Sequence, residues 1–297
     1  MQKIPNCKVA RFKFNERNPK NVIDKILLGL ANANPNYGVS PRGRLTSQIL
    51  QEIWEVGVKR VDSATEYLHA SKIVSESNLD WTIQTKVKLP EAYDSFKSLQ
   101  KAALLAIGNS KVDSLLIHTP NLYQHQRANQ IVSDLKNAAE KLEIPRVGIS
   151  IYRPIELENL KNWQDLDLIQ FPHNPFDSNC FDWLTLGNRI KLPILQVRSI
   201  YLQGLLIPRN TPSNTLPAEL LTAISEWEKW LLDYKLDAQR YCSSFACGNP
   251  RIDEIVVGVD SSSQLRQLVE NVVDTDVLPR YSKIIPAQLT DPRRWTH

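Results

Sequence analysis

The chain has 297 residues, 42% of them hydrophobic and 23% charged, with 36 basic against 32 acidic side chains and a formal net charge of +4. These proportions exclude a disordered, collagen-like or coiled-coil protein, and without a Lys/Arg block the small positive balance gives nucleic acid no footprint. The opening Met1-Gln2-Lys3-Ile4-Pro5 leads into charged residues and no later run reaches membrane-spanning length, so the expectation is a cytoplasmic protein with neither nucleic-acid nor membrane partners.

Residues 1–23, with the alternating Val9-Ala10-Arg11-Phe12-Lys13-Phe14, form an extension expected to cap a barrel bottom as a strand or hairpin. From residue 24 onward, short apolar runs alternate with amphipathic stretches. The strand-like runs are Asp24 to Ala31, Arg60 to Ala64, Trp81 to Val87, Val112 to Thr119, Arg146 to Ser150, Leu166 to Phe171, Pro193 to Ile200 and Ile252 to Val259. Several are apolar on consecutive positions, as expected of parallel strands covered on both faces. Between them lie helix-like stretches: Ser47 to Val56, Ser71 to Ser77, Asp94 to Ile107, Ala128 to Leu142, Pro154 to Asn162, Cys180 to Asn188, Leu216 to Tyr234 with a further segment to Ala246, and Ser262 to Val273. Eight βα units without a Pro/Gly/Ser linker predict an α/β fold, a single-domain (β/α)8 TIM barrel over residues 24–297.

Much chemistry is excluded at once. The 10 glycines are never closer than five positions, which rules out a G-x-G-x-x-G dinucleotide fingerprint. The stretch Gly38 to Leu45 has P-loop glycine spacing but lacks the Lys and Ser/Thr that hold phosphate and magnesium, and Gly148-Ile149-Ser150-Ile151-Tyr152 lacks the last glycine of a nucleophile elbow. Cys7, Cys180, Cys242 and Cys247 form no C-x-x-C pair, so they read as reduced thiols and no metal site is expected.

In a (β/α)8 barrel the strand C-termini and the loops that follow build the active site. The second strand ends in Asp62 and its loop carries Tyr67, the third places Lys86 in Gln84-Thr85-Lys86-Val87, and the fourth ends Ile117-His118-Thr119-Pro120. Three consecutive strands thus bring an Asp, a Tyr, a Lys and a His to one end. Each has a plain structural reading: a packed aromatic, an internal ion pair, a satisfied strand-end histidine.

Together, in these contexts, they resemble the catalytic tetrad of the aldo-keto reductase superfamily, and the resemblance runs from about residue 24 onward. Downstream matches are Gly148-Ile149-Ser150, Gln170 to Asn174-Pro175, Ser199 with Gln203-Gly204, and Val257 to Asp260 followed by Gln264-Leu265. The wording Val-Arg-Ser-Ile-Tyr-Leu-Gln-Gly looks like a bacterial branch associated with surface-sugar metabolism, which implies a sugar-derived carbonyl as one substrate. The resemblance implies Asp62, Tyr67, Lys86 and His118 as catalytic residues. It assigns contacts with a nicotinamide cofactor to Asp62, Ser150, Gln170, Arg198, Ser199, Leu202, Gly204, Gly258, Gln264 and Gln267, with NADP(H) ahead of NAD(H). The implied partner is a small carbonyl or alcohol, and the protein is expected to be a monomer or weak homo-oligomer.

The implied chemistry makes physical sense. Hydride addition builds negative charge on the carbonyl oxygen, so a proton donor is needed there. A phenol with an ordinary pKa near ~10 becomes a useful acid only when a nearby cation stabilises its phenolate. Lys86 is placed to be that cation, Asp62 to keep it charged and aimed, and His118 to hydrogen-bond the carbonyl oxygen.

Four positions depart from the pattern. Ile151 stands where many members have an Asn that holds the nicotinamide carboxamide, and Arg198 stands where an aromatic usually stacks on the ring. Gly258 and Gln264 fall where NADP-preferring members carry cations for the 2′-phosphate, with Arg266 close by. Among the other histidines, His69 is a candidate for the substrate mouth and His173 reads as structural. Arg293-Arg294-Trp295 either closes over the site or packs outside the barrel. Two rivals stay open: a catalytically silent nucleotide-binding barrel acting as a regulatory subunit, and a lyase or isomerase using Lys86 as a Schiff-base nucleophile.

Overall fold

Eight parallel strands pair in chain order and the last returns to the first, closing a barrel. The structure is a computed structural model that describes residues 22–34, 45–67, 69–88, 111–118, 128–158, 160–161, 163–186, 192–208 and 216–295, with isolated positions between 97 and 104. The expected N-terminal hairpin, the P-loop-like glycines and most of the Asp94 to Ile107 stretch lie outside the described residues.

The strands are β1 (Ile26–Gly29), β2 (Arg60–Asp62), β3 (Thr82–Val87), β4 (Val112–Ile117), β5 (Arg146–Ser150), β6 (Leu168–Pro172), β7 (Ile194–Arg198) and β8 (Glu254–Val257). The described α-helices are α1 (Ser47–Val56), α2 (Ala70–Glu76), α3 (Ala128–Lys141), α4 (Ile155–Glu158), α5 (Asn179–Thr185), α6 (Ala218–Tyr234), α7 (Ala238–Cys247) and α8 (Ser262–Glu270). All eight expected strands are present, most of them shorter at their ends than the apolar runs suggest.

Local signals set the helix limits. Thr46 caps α1 by accepting from Ile49 N at 3.2 Å, and Gly57 ends it at φ +119°, a left-handed conformation that glycine adopts without Cβ strain. The long Leu216 to Ala246 stretch is two helices, because Lys235 turns left-handed and Asp237 starts α7 by capping Arg240 N at 2.7 Å.

Strand alternation divides the core in two. Val61, Leu115, Ile117, Val147, Ile149, Ile169, Phe171, Val197 and Ile255 face outward. They share one apolar cluster with Leu50 and Ile53 of α1, Ile131 and Leu135 of α3, Leu184 of α5 and Leu265 and Leu268 of α8. The inward residues are different in kind. Leu27, Leu116, Leu168 and Val256 are buried outside that cluster, and Gly148 sits between Leu116 and Leu168 in register. A Cβ on Gly148 would stand 2.5 Å from the Leu168 carbonyl oxygen and 2.7 Å from its Cγ, so this inner layer requires glycine there.

The rest of the inside is polar, which consecutive apolar runs do not foretell. At the N-terminal ends of the strands, Arg60 Nη1 and Arg146 Nη1 lie 2.6 and 2.8 Å from Glu254 Oε1. Arg146 Nη2 and Arg60 Nη2 lie 2.6 and 3.2 Å from Asp113 Oδ2. Above this floor the registers set Asp62 beside Gln84 and line up Ser150, Gln170, Gln196 and Glu254 across β5 to β8.

A second apolar cluster joins the loop after β7 (Leu202, Leu206), α6 (Leu220, Trp227), α7 (Tyr241) and the C-terminal segment (Ile285, Leu289, Trp295). The indole nitrogens of Trp227 and Trp295 donate to Leu206 O at 2.9 Å and Leu289 O at 3.0 Å, so both large rings are buried with their polar atoms satisfied. This cluster ties the chain end to the β7 loop. No helix among the described residues is long and apolar enough to cross a membrane.

Candidate active site

The C-terminal end of the barrel brings Asp62, Lys86 and Tyr67 together, with His118 at the end of the next strand. The loop after β2 is strapped to β3 by Ser63 N to Gln84 O (2.9 Å) and Thr65 N to Lys86 O (3.1 Å), and Tyr67 N closes a turn on Ala64 O at 3.0 Å. His118 follows β4, and its N–H is held on Val87 O at 2.8 Å. Lys86 is 1% exposed and its Nζ is in direct contact with Asp62 Oδ2. The same Nζ lies 5.6 Å from the centroid of the Tyr67 ring.

Burial pushes Lys86 below the ordinary ammonium value; Asp62 opposes this and the nearby Arg198 charge adds to it. His118 Nδ1 lies 3.3 Å from Glu66 Oε2. Burial lowers the His118 pKa against the pull of Glu66, with Lys86 and Arg198 lowering it further. Glu66 is itself held below its usual range, the bond and charge of His118 outweighing its own desolvation. An ionised Glu66 takes the Nδ1–H of a neutral ring and leaves Nε2 as an acceptor. Glu66 was not among the sequence candidates, because its partner lies 52 residues away and only the packing of two loops brings them together.

Beneath the tetrad, Asp62 Oδ1 accepts from Gln84 Nε2 at 2.6 Å and from Gln170 Nε2 at 3.1 Å. Ser150 Oγ donates to Gln170 Oε1 at 2.7 Å. Gln170 Nε2 also donates to Gln196 Oε1 at 2.7 Å, so both its hydrogens are used and only acceptor capacity remains on Gln170 Oε1 and Ser150 Oγ.

On the other side of the mouth, Arg198 Nη2 donates to Ile151 O at 3.0 Å and Nη1 to Ser199 Oγ at 3.3 Å. Its guanidinium carbon is 4.1 Å from the Tyr152 ring centroid, and that of Arg293 is 3.8 Å from the same centroid. The C-terminal Arg293 therefore reaches the end of β5, anchored by two bonds to Asp291 at 2.7 and 2.5 Å, while Trp295 packs into the second cluster. Glu156 Oε2 accepts from Tyr152 N at 3.0 Å, and burial pushes its carboxyl up to about 7.

The loop after β7 carries Ser199, Leu202, Gln203 and Gly204 all at positive φ. Three non-glycine residues in that region store about 1–3 kcal/mol of strain each, which the packing of Leu202 and the Asn174 Nδ2 bond to Ser199 O (3.1 Å) must hold. Such outliers cluster at binding sites. Gly258, Gln264 and Gln267 lie at β8 and α8, across the seam with β1. There Ser261 caps α8 on Gln264 N at 3.2 Å, Gln264 Oε1 accepts from Asp260 N at 2.9 Å, and Ser262 Oγ donates to Glu52 Oε2 at 2.8 Å. His173 is buried between Phe181 and Phe245, at 4.8 and 4.6 Å, with its pKa lowered by burial to about 3. No cluster among the described residues could hold a metal ion.

This closed barrel with an Asp–Lys pair at its C-terminal end has the aldo-keto reductase fold, in agreement with the resemblance carried by the motifs. Solved structures similar to it include a glycerol dehydrogenase from Gluconobacter oxydans (TM-score 0.57, 15% identity, 83% of this chain and 86% of that one). Others are an aldo-keto reductase from Bacillus halodurans in its holo form (0.55, 16%, 90% and 89%) and an aldo-keto reductase from a Medee basin deep-sea metagenome library (0.54, 12%, 91% and 89%). No family model matches the chain, and no curated protein matches it.

Proposed function

We propose that this protein is an oxidoreductase that interconverts an aldehyde or ketone, a sugar-derived carbonyl among the candidates, and its alcohol, with Tyr67 as general acid/base. The observation that carries the reading is the buried Lys86–Asp62 pair beneath the Tyr67 ring. The resemblance puts a nicotinamide carboxamide at Ser150 and Gln170: Ser150 Oγ and Gln170 Oε1 retain only acceptor capacity, which suits the N–H groups of a primary carboxamide, and both residues are at most 1% exposed, so binding requires the side chains above them to part. When bound in its reduced form, that group supplies the hydride.

The chain's own residues do the rest. Tyr67 gives its proton to the carbonyl oxygen as charge develops there, and the Lys86 ammonium stabilises the phenolate left behind, in a site dry enough for that charge to act strongly. Asp62 keeps the ammonium aimed. His118, with Nδ1–H on Glu66, offers Nε2 as an acceptor to an alcohol or the Tyr67 hydroxyl. It donates to a carbonyl, the role expected from sequence, only as the imidazolium, so that contribution grows as pH falls.

The resemblance puts NADP(H) first. Glu52 beside Ser262 weighs the other way, because a carboxylate at the α8 N-terminus repels a 2′-phosphate. Titrating NADPH and NADH separately against tryptophan fluorescence, then following loss of reduced cofactor with a panel of aldehydes and ketoses, tests the proposal. Binding of neither cofactor up to about 1 mM, beyond typical working ranges, would refute it, and binding without turnover would favour the silent regulatory barrel.

A further inference from the structure

We infer that Gln196, at the centre of the barrel and touching none of the reacting atoms, is the positioning residue that transmits the charge of Glu254 through a ring of amides to the Asp62–Lys86 pair. Its kinetic arm rests on the oxidoreductase reading; its structural arm does not.

Hydrogen counting makes the argument. Gln196 Nε2 donates one hydrogen to Glu254 Oε2 at 2.6 Å and the other to Gln84 Oε1 at 2.9 Å. Gln196 Oε1 accepts from Gln84 Nε2 and from Gln170 Nε2, both at 2.7 Å. Every donor and acceptor of this side chain is therefore used. Gln84 and Gln170 have one amide hydrogen left each, and both go to Asp62 Oδ1. Gln84, Gln170 and Gln196 are each at most 1% exposed, so water cannot replace a lost partner.

The ring has one orientation because its lower end is fixed. Arg60 and Arg146 hold the Glu254 carboxyl below the usual range despite its burial, and an ionised carboxylate only accepts. Gln196 must therefore turn its NH2 to Glu254 and its oxygen to the other two amides. They in turn must present N–H, not C=O, to Asp62. The reverse arrangement would set carbonyl oxygens against two carboxylates. The net result is a catalytic carboxylate with its Oδ1 pinned from below, which leaves Oδ2 for Lys86. Burial of hydrogen-bonded amides in a low-dielectric interior makes such a network stiff when complete and fragile when cut.

The test uses the full-length protein with Gln196→Glu and Gln196→Met. The Glu variant keeps shape but faces Glu254 at hydrogen-bond distance. Two carboxylates so close share a proton, which at low pH keeps the link to Glu254 though not the bond to Gln84 Oε1, and is lost as pH rises. The expected result is a new ionisation in the kcat profile of Q196E, with the KM for cofactor within about threefold of wild type. Q196M cuts all four bonds and is expected to lose roughly 10- to 100-fold in kcat at every pH, the scale of a misplaced catalytic group. Independently of turnover, the 15N resonance of the Lys86 ammonium, identified by its loss in Lys86→Met, should move with the new ionisation in Q196E and stay still in wild type. If Q196M does not fold, Q196E alone decides. A folded Q196E with wild-type kcat and a stationary Lys86 resonance across the pH range overturns the inference. Absence of turnover in wild type would sink the oxidoreductase reading instead, and the Lys86 resonance would still give its answer.

Discussion

Replacing Asp62 by Asn changes one atom of a group that is 3% exposed and accepts from three donors, Lys86 on Oδ2 and the amides of Gln84 and Gln170 on Oδ1. Asparagine offers one oxygen and one NH2. Whichever way it turns, an N–H group faces either the ammonium or two amide donors. Breaking a buried ion pair by removing one partner costs about 3–5 kcal/mol, which at roughly 2–4 °C per kcal/mol for a domain of this size lowers Tm by on the order of 10 °C. The pH dependence has a fixed sign. Without Asp62 the Lys86 pKa, already lowered by burial, falls further below its unfolded value near ~10.4. Between those two values the unfolded chain binds more protons, so the stability of the variant rises with pH and its deficit against wild type narrows. Urea unfolding at a series of pH values, followed by fluorescence of the seven tryptophans, measures both quantities. A deficit under about 1 kcal/mol that does not change with pH would refute the account of Asp62 as the counter-ion of a charged, desolvated Lys86.

Tyr67→Phe should leave cofactor binding within about threefold and slow single-turnover hydride transfer by roughly 10²- to 10⁴-fold, about 3–5 kcal/mol of barrier; a wild-type chemical rate would move the proton donor elsewhere. Glu156, raised to about 7, binds its proton more tightly folded than unfolded, so stability falls as pH climbs from the usual carboxylate range through about 7. Glu156→Gln should remove a slope worth on the order of 3–4 kcal/mol, and denaturation at pH values on either side of it shows whether it does. Glu52→Gln takes the carboxylate off Ser262 at the start of α8 and should improve NADPH binding relative to NADH by roughly 2- to 5-fold, the size of one charge at a helix end. An unchanged ratio of the two Kd values would place the adenosine end away from α8.

The alternation of eight apolar runs with amphipathic stretches was enough to read the barrel, because parallel strands covered by helices leave that rhythm in the chain. Asp62 and Lys86 were equally legible, since strand ends in a barrel converge whatever the details of packing. What fills the barrel was not. Arg60, Arg146 and Glu254 open their strands and look like ordinary solvated residues in sequence, yet they meet one another across separations of 108 and 194 residues. Gln84 and Gln196 are 112 apart and read singly as polar interruptions of strands. Long-range polar pairing has no period to detect. The placement of Arg293 on Tyr152 was left open for the same reason, being decided by how Trp295 and Leu289 pack against α6 and the β7 loop.

The seam between β1 and β8 ties together the two ends of the described chain, with Ile26 in register with Ile255 and the Lys25 ammonium on Ile252 O, 227 residues away. Closing a loop of that length costs about 5 kcal/mol of chain entropy before any contact at the seam rewards it. On the ribosome β8 is the last of the barrel's eight described strands to emerge, so β1 waits for it with one edge unpaired, the state in which a strand recruits the wrong partner. The vulnerable interval for this protein therefore lasts until β8 has emerged, and a co-translational chaperone that covers the Ile26–Gly29 edge would protect it more than one acting on the finished barrel.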